Sequence, residues 1–205
     1  MKTTPTVCLM LKAPRPGYVK TRLAEKLGKG KAVKIYRQLV EHQLRQLPGR
    51  WPVQIHFTPA SAASEMKVWL GKRRDYVSQC GGNLGKRLIH ATNHAFEQGA
   101  TSVIFLGGDC PYVTTSLLKE TGRILEKAEV VLGPASDGGY YLIGLQRSLP
   151  KLFSNINWST ELVLNQTMDR IKSLGLKCQM LEVLEDVDNG ASWLRASKFS
   201  NWLAM

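Results

Sequence analysis

Short apolar runs alternate along this chain with amphipathic stretches, and that alternation constrains the fold more than any other feature. An apolar run too short for a helix and bounded by turn residues reads as a buried strand, and the amphipathic stretch after it as the helix crossing back over the sheet. The expected strands are Thr6–Leu11, Val53–Thr58, Val103–Leu106, Glu129–Leu132, Tyr140–Leu145 and Lys177–Leu184, with a weaker one through Tyr76–Cys80. The longest expected helix is Lys31–Leu47. There Val33, Tyr36, Val40, Leu44 and Leu47 recur at three- and four-residue steps, Lys34, Arg37, Glu41 and Arg45 take the other faces, and Pro48-Gly49 ends the run. Leu84–Glu97, Thr115–Ala128 and Thr160–Leu174 read likewise, so the class is α/β with a mainly parallel sheet.

No internal repeat, linker tract or shift in composition divides the 205 residues, and one domain over 1–205 is expected. With 43% hydrophobic and 21% charged residues, a disordered chain is excluded. Lys and Arg exceed Asp and Glu by 12 charges, which favours an anionic partner. The basic clusters Lys26–Lys34 and Lys72-Arg73-Arg74 are not interleaved with aromatics, and no nucleic-acid-binding motif accompanies them, so nucleic acid is not the expected partner. Cys8, Cys80, Cys110 and Cys178 form no C-x-x-C pair, which argues against a zinc knuckle or a disulfide framework. Val7–Leu11 is cut off by Lys12 and Pro14 before reaching the length of a signal-peptide core, and no stretch approaches a bilayer span. A cytoplasmic location is expected.

Four segments hold residues suited to chemistry. The first expected strand runs into a loop bearing Lys12, Arg15, Lys20 and Arg22 together with Pro14, Pro16 and Gly17. Loops at the carboxyl ends of strands bind ligands in open α/β sheets, and this composition suits a diphosphate: prolines fix the loop, Gly17 admits close backbone approach, Lys20 and Arg22 supply charge. It is neither a Walker A loop nor a G-x-G-x-x-G turn, and a solvated basic turn is the alternative. Next, Val103–Leu106 is followed by Gly107-Gly108-Asp109, a carboxylate at a strand end suited to Mg²⁺, or one that only caps the following helix. In Asp137-Gly138-Gly139-Tyr140 the Asp sets a turn or lies near a ligand, and Tyr140 or Tyr141 offers a ring and a hydroxyl. Finally, Glu185-Asp186-Val187-Asp188 brings carboxylates from far along the chain. Other conspicuous residues read as structural: the pair His90 and His94, Cys110, and Trp51, Trp69, Trp193 and Trp202.

Lys12–Leu23, Gly107–Pro111, Gly133–Leu145, Trp158–Thr160 and Asp186–Asp188, taken in order, make the chain resemble the GT-A-like nucleotide-diphospho-sugar transferase superfamily. Within it the chain resembles the small bacterial glycosyltransferase-like family catalogued as DUF2064, whose members carry names tied to arsenosugar biosynthesis. Guanylyltransferases of molybdenum-cofactor and deazaflavin-cofactor synthesis share the fold. The resemblance implies a Rossmann-like, three-layer α/β/α fold with Mg²⁺ or Mn²⁺ on Asp109 and Asp188. It also implies a nucleotide-sugar or NTP donor over Lys12, Pro14, Arg15, Gly17, Lys20 and Arg22, with Asn83 and Arg87 nearby. Asp109, Asp137 and Lys20 would be catalytic, and Gly138, Gly139, Tyr140, Trp158, Ser159 and Thr160 would face a small-molecule acceptor or the sugar. Glycosyl transfer leads, and nucleotidyl transfer from an NTP to a phosphorylated acceptor is the rival. Two departures stand out. G-D-L-G-E-R is replaced by Gly82-Asn83-Leu84-Gly85-Lys86-Arg87, altering specificity or removing activity, and T-P-E-D by Asn189-Gly190-Ala191-Ser192, weakening the start of the last helix.

Overall fold

A computed structural model describes residues 4–199. In it the apolar runs become β1 (Thr6–Lys12), β2 (Val53–Thr58), β3 (Asp75–Ser78), β4 (Val103–Leu106), β5 (Val130–Pro134), β6 (Tyr140–Leu145) and β7 (Cys178–Met180). The amphipathic stretches become α2 (Lys29–Gln46), α4 (Leu84–Glu97), α5 (Thr115–Ile124) and α6 (Val163–Ser173), joined by α1 (Thr21–Leu27), α3 (Ala63–Leu70) and α7 (Gly190–Phe199).

The strands form a sheet in the order β3-β2-β1-β4-β6-β5-β7. All neighbouring pairs are parallel except those of β6, which runs antiparallel to β4 and β5. From β1 the chain builds outward through β2 and β3, then returns to place β4 on β1's other side. This reversal opens a crevice beyond the carboxyl ends of β1 and β4, where ligands bind in such sheets.

Strand side chains alternate between faces, and each face has its own core. Leu9, Leu11, Ile104 and Leu106 pack with Tyr36 and Val40 of α2, Met66 of α3 and Leu118 of α5. Cys8, Phe105, Val130 and Leu132 pack on the opposite face with Leu88 and Ala91 of α4 and Ile171 of α6. The result is three layers, α/β/α. A smaller cluster of Leu23, Ile35, Leu39, Val187 and Ala196 ties α1, α2 and α7 to the chain ahead of α7.

Three expectations are corrected. The helix expected from Thr160 starts at Val163, because residues 157–162 are taken up in turns, with the Thr160 hydroxyl donating to Asn157 O and accepting from the Leu162 N–H. The strand expected over Lys177–Leu184 is regular only through Cys178–Met180. Beyond it Glu182 and Val183 are exposed, and the chain touches β5's end again through a single Ala135–Leu184 bridge. The helices α1 and α3 lie where no periodicity was legible; α1 buries only Leu23, and α3 only Met66 and Leu70. Trp51, Trp69 and Trp193 pack partly buried against these cores, and Trp202 lies outside the described residues. Among the described residues no helix is long and apolar enough to cross a membrane.

Candidate active site

Past β1 the chain stays extended, the Ala13 N–H donating to Thr58 O at 2.8 Å, then turns back where the Tyr18 N–H donates to Arg15 O at 3.0 Å. Gly17 (φ 80°) and Lys20 (φ 47°) both take left-handed backbone. In a lysine that conformation costs on the order of 1 kcal/mol, and here it turns the side chain inward. Only 5% of the Lys20 side chain is exposed, and its Nζ donates to Asp109 Oδ2 and to Asp188 Oδ1, each at 2.9 Å. Burial opposes the ammonium charge, but the two carboxylates outweigh it, and the pKa of Lys20 is raised.

The carboxylates reach Lys20 because the ends of distant segments are stitched together. Gly108 lets β4's end slide beneath α2: a Cβ there would stand 2.8 Å from Val40 Cγ2 and 2.9 Å from Leu11 Cδ2. The Val187 N–H donates to Asp109 O at 3.0 Å, laying residues 186–188 beside Asp109. Val187 is 1% exposed in the small cluster, so its extended neighbours Asp186 and Asp188 face the other way, into the crevice. Asp186 Oδ1 is buried without a hydrogen-bond partner. Burial, and after it the charge of Asp109, raise the Asp186 pKa well above the usual carboxylate range, with Lys20 opposing. The start of α7 is not weakened by its departure from T-P-E-D: Asn189 Oδ1 accepts from the Ala191 and Ser192 N–H groups at 2.9 and 3.0 Å.

On the β6 side, Asp137 Oδ1 accepts from the Gly139 N–H at 2.9 Å. Gly138 (φ 87°) accepts from the Leu164 N–H at 2.9 Å, and a Cβ on it would come within 2.3 Å of Glu161 O. Residues 157–163 are thus clamped against the turn. Trp158 meets Tyr140 edge-on with ring centroids 6.5 Å apart, and its Nε1 lies 2.6 Å from where a Cβ on Gly85 would stand.

These elements enclose a cleft of about 560 Å³. Of the residues expected at the site, Lys12, Lys20, Arg22, Asp109, Asp137, Gly139, Tyr140, Trp158, Ser159, Thr160 and Asp188 line it. Pro14, Arg15, Gly17, Asn83, Arg87 and Gly138 are not among its walls. Arg15 pairs instead with Glu65 at 2.8 Å, Asn83 caps α4 by accepting from the Lys86 N–H at 3.0 Å, and Arg87 donates to Gly82 O at 3.2 Å. Sequence reading gave no site role to Tyr36, Leu84 and Glu161, and none to Asp186 beyond its place in the Glu185–Asp188 carboxylate cluster, yet all four line the cleft. The Tyr36 hydroxyl accepts from the Lys12 N–H at 3.0 Å and donates to Lys12 O at 3.1 Å, fixing β1's last residue. The alternation of acids around Val187 was the one signal that pointed to Asp186.

The walls carry three cations: Lys12 from the end of β1, Lys20 from the loop after it and Arg22 from the start of α1. Against them stand five acids: Asp109, Asp137, Glu161, Asp186 and Asp188. A hard divalent cation fits this donor set, because the donors at Lys20 are carboxylate oxygens and Asp186 Oδ1 is left unpartnered. Among the described residues no three His, Cys, Asp or Glu are grouped to hold a metal by themselves.

Sheet order, switch point and cleft together define a doubly wound α/β protein with its ligand site at the carboxyl edge. The profile of the family described as uncharacterized protein conserved in bacteria (DUF2064) matches residues 42–160, and the chain belongs to that family. A crystal structure from Desulfovibrio desulfuricans G20, provisionally named a nucleotide-diphospho-sugar transferase, is 33% identical. It superposes with a TM-score of 0.86 over 91% of this chain and 84% of its own. The fold is shared more distantly with 4-diphosphocytidyl-2C-methyl-D-erythritol synthase from Anaerococcus prevotii DSM 20548, at 12% identity and TM-score 0.61 over 95% of this chain and 96% of that one. It is shared too with Rv0371c of Mycobacterium tuberculosis H37Rv in complex with manganese, at 16% identity and TM-score 0.55 over 96% and 100%. A search of curated proteins finds no match.

Proposed function

We propose that this protein is a glycosyltransferase that moves a sugar from a nucleoside-diphosphate donor to the hydroxyl of a small acceptor. The observation carrying this reading is where the cations of the cleft come from: Lys12, Lys20 and Arg22 all belong to residues 12–22, with Lys20 paired to Asp109 and Asp188, while residues 137–163 give the wall acids, aromatic rings and hydroxyls and no cation. A diphosphate belongs beside the first group. An acceptor beside the second group meets no cation from it, which suits an uncharged hydroxyl compound and penalises a phosphate ester. The relative from D. desulfuricans, by its name, points the same way.

Asp109 and Asp188 would hold Mg²⁺ or Mn²⁺, which when bound supplies positive charge opposite the departing diphosphate. Lys12 and Arg22 neutralise the remaining phosphate charge as it builds. Trp158 and Tyr140 give a sugar ring an apolar wall, and Ser159 and Thr160 offer it hydrogen bonds. In the transfer the acceptor oxygen bonds to the anomeric carbon, the bond from that carbon to the phosphate oxygen breaks, and the nucleoside diphosphate leaves with the electron pair. Asp137, anchored by the Gly139 N–H, takes the proton from the acceptor hydroxyl.

Nucleotidyl transfer is the second reading, favoured by a cation-lined wall that would serve a triphosphate equally well and by the fold shared with the A. prevotii synthase. Incubation with Mn²⁺ and panels of nucleoside-diphosphate sugars and NTPs separates the two. Glycosyl transfer releases nucleoside diphosphate from a donor sugar. Pyrophosphate release from an NTP with a phosphorylated acceptor, and no turnover of any donor sugar, would reassign the protein.

A further inference from the structure

We infer that Lys20 is an internal counter-ion that occupies the divalent-cation position until a diphosphate draws it away, so that metal and diphosphate enter the cleft as a coupled pair. The inference rests on the reading of Asp109 and Asp188 as the ligands of that cation.

The sequence made Lys20 a phosphate ligand, yet its Nζ stands between the two carboxylates, 2.9 Å from an oxygen of each. The position is built. The backbone takes a left-handed turn at Lys20 (φ 47°), and its side chain is 5% exposed, whereas Lys12 and Arg22 are exposed. The Val187-to-Asp109 backbone bond holds the carboxylate-bearing segments side by side, with the unpartnered Asp186 Oδ1 adding acid nearby. Without a cation in the gap, the Asp109 and Asp188 carboxylates, each about a third exposed, would face one another across it.

An ammonium and a divalent ion cannot share the gap between two carboxylates, since both need the same oxygens and repel each other strongly at such range. Metal arriving alone must expel Lys20 and leave a buried ammonium without its partners. When a diphosphate already lies along the β1 loop, the displaced ammonium, on its flexible four-carbon stem, has an anion to meet. Each ligand then strengthens the other's binding by the same factor, as linkage requires. A lysine serving only to stabilise the fold would show no such exchange.

Electron paramagnetic resonance of free Mn²⁺, titrated against metal-free protein without nucleotide, tests this on the wild type and on Lys20→Met. The variant is expected to bind Mn²⁺ about tenfold or more tightly than the wild type, within the usual span of coupling between sites. A folded Lys20→Met protein that binds Mn²⁺ no more tightly, or more weakly, overturns the inference while leaving the metal reading intact. Absence of Mn²⁺ binding in both proteins, even with a nucleoside diphosphate present, overturns the two together. Reductive methylation of the wild type, mapped by mass spectrometry, decides the matter if Lys20→Met does not fold. Lys20 should resist modification in metal-free protein and become reactive at saturating Mn²⁺; equal modification in both states overturns the inference.

Discussion

Gly138 has a left-handed backbone (φ 87°) and the Glu161 carbonyl pressed against the place of its missing side chain, so two independent costs meet in one substitution. Gly138→Ala should lower unfolding stability by well over about 1 kcal/mol and loosen residues 157–162, weakening acceptor binding more than donor binding. Gly28→Ala is the comparison: its φ of 82° and ψ of 153° are conformations that essentially only glycine adopts, but nothing lies within 4 Å of the added methyl, so only the backbone cost of about 1–3 kcal/mol applies. Urea unfolding of both variants checks the difference. His56 gives a pH signature. It is fully buried in β2, its Nε2 lies 3.1 Å from Gln54 Oε1, and its Nδ1 has no partner. Burial first, then the charges of His94 and His90, lower its pKa from 6.5 to about 3. Stability from keeping it neutral is therefore complete above pH 6.5 and lost as pH falls toward 3, at about 1.4 kcal/mol per pH unit. Denaturation measured across that range should show this slope in the wild type and a flatter one in His56→Gln. At this scale the chemistry-bearing types were legible, Asp109 and Asp137 from their glycine settings, but not their partners. Nothing in a loop of lysines and prolines says that Lys20 meets two aspartates, one 89 and the other 168 residues away.

Among the elements, the chain entering α7 matters most to the cleft, because it delivers Asp188 through Val187. Val187→Ala removes two methyl groups from the Leu23–Ile35–Leu39–Ala196 cluster and should cost about 2 kcal/mol. If Val187 positions Asp188, the variant at low temperature, still folded, should also lose Mn²⁺ affinity; unchanged affinity would show that the Asp109 backbone bond alone suffices. Strands and long helices were legible because each repeats its apolar period several times. The helices α1 and α3 offer one or two buried positions each, too few to form a period. The shortening of Lys177–Leu184 depended on β5 as its partner, which no local pattern records.

Across the whole molecule the sign of the charge favours an anionic partner but does not locate its site. A net charge of +12 suggested an anion, but the cleft wall has five acids against three cations, and the positive excess lies elsewhere. What selects the ligand is where the two signs stand relative to each other, fixed by the switch from β1–β2–β3 to β4 and by β6 running antiparallel between β4 and β5. The fold class and the order of the motifs were legible in the sequence, and the resemblance implied that residues 12–22, 109, 137 and 188 share one site; their convergence in one cleft is a property of that topology. It is tested most directly by thermal-shift titration of nucleoside diphosphates with and without Mn²⁺, on the wild type and on Asp109→Asn. Stabilisation that is larger with both ligands than the sum of each alone, and that collapses in Asp109→Asn, is expected. Stabilisation indifferent to both the metal and that substitution would contradict a shared site.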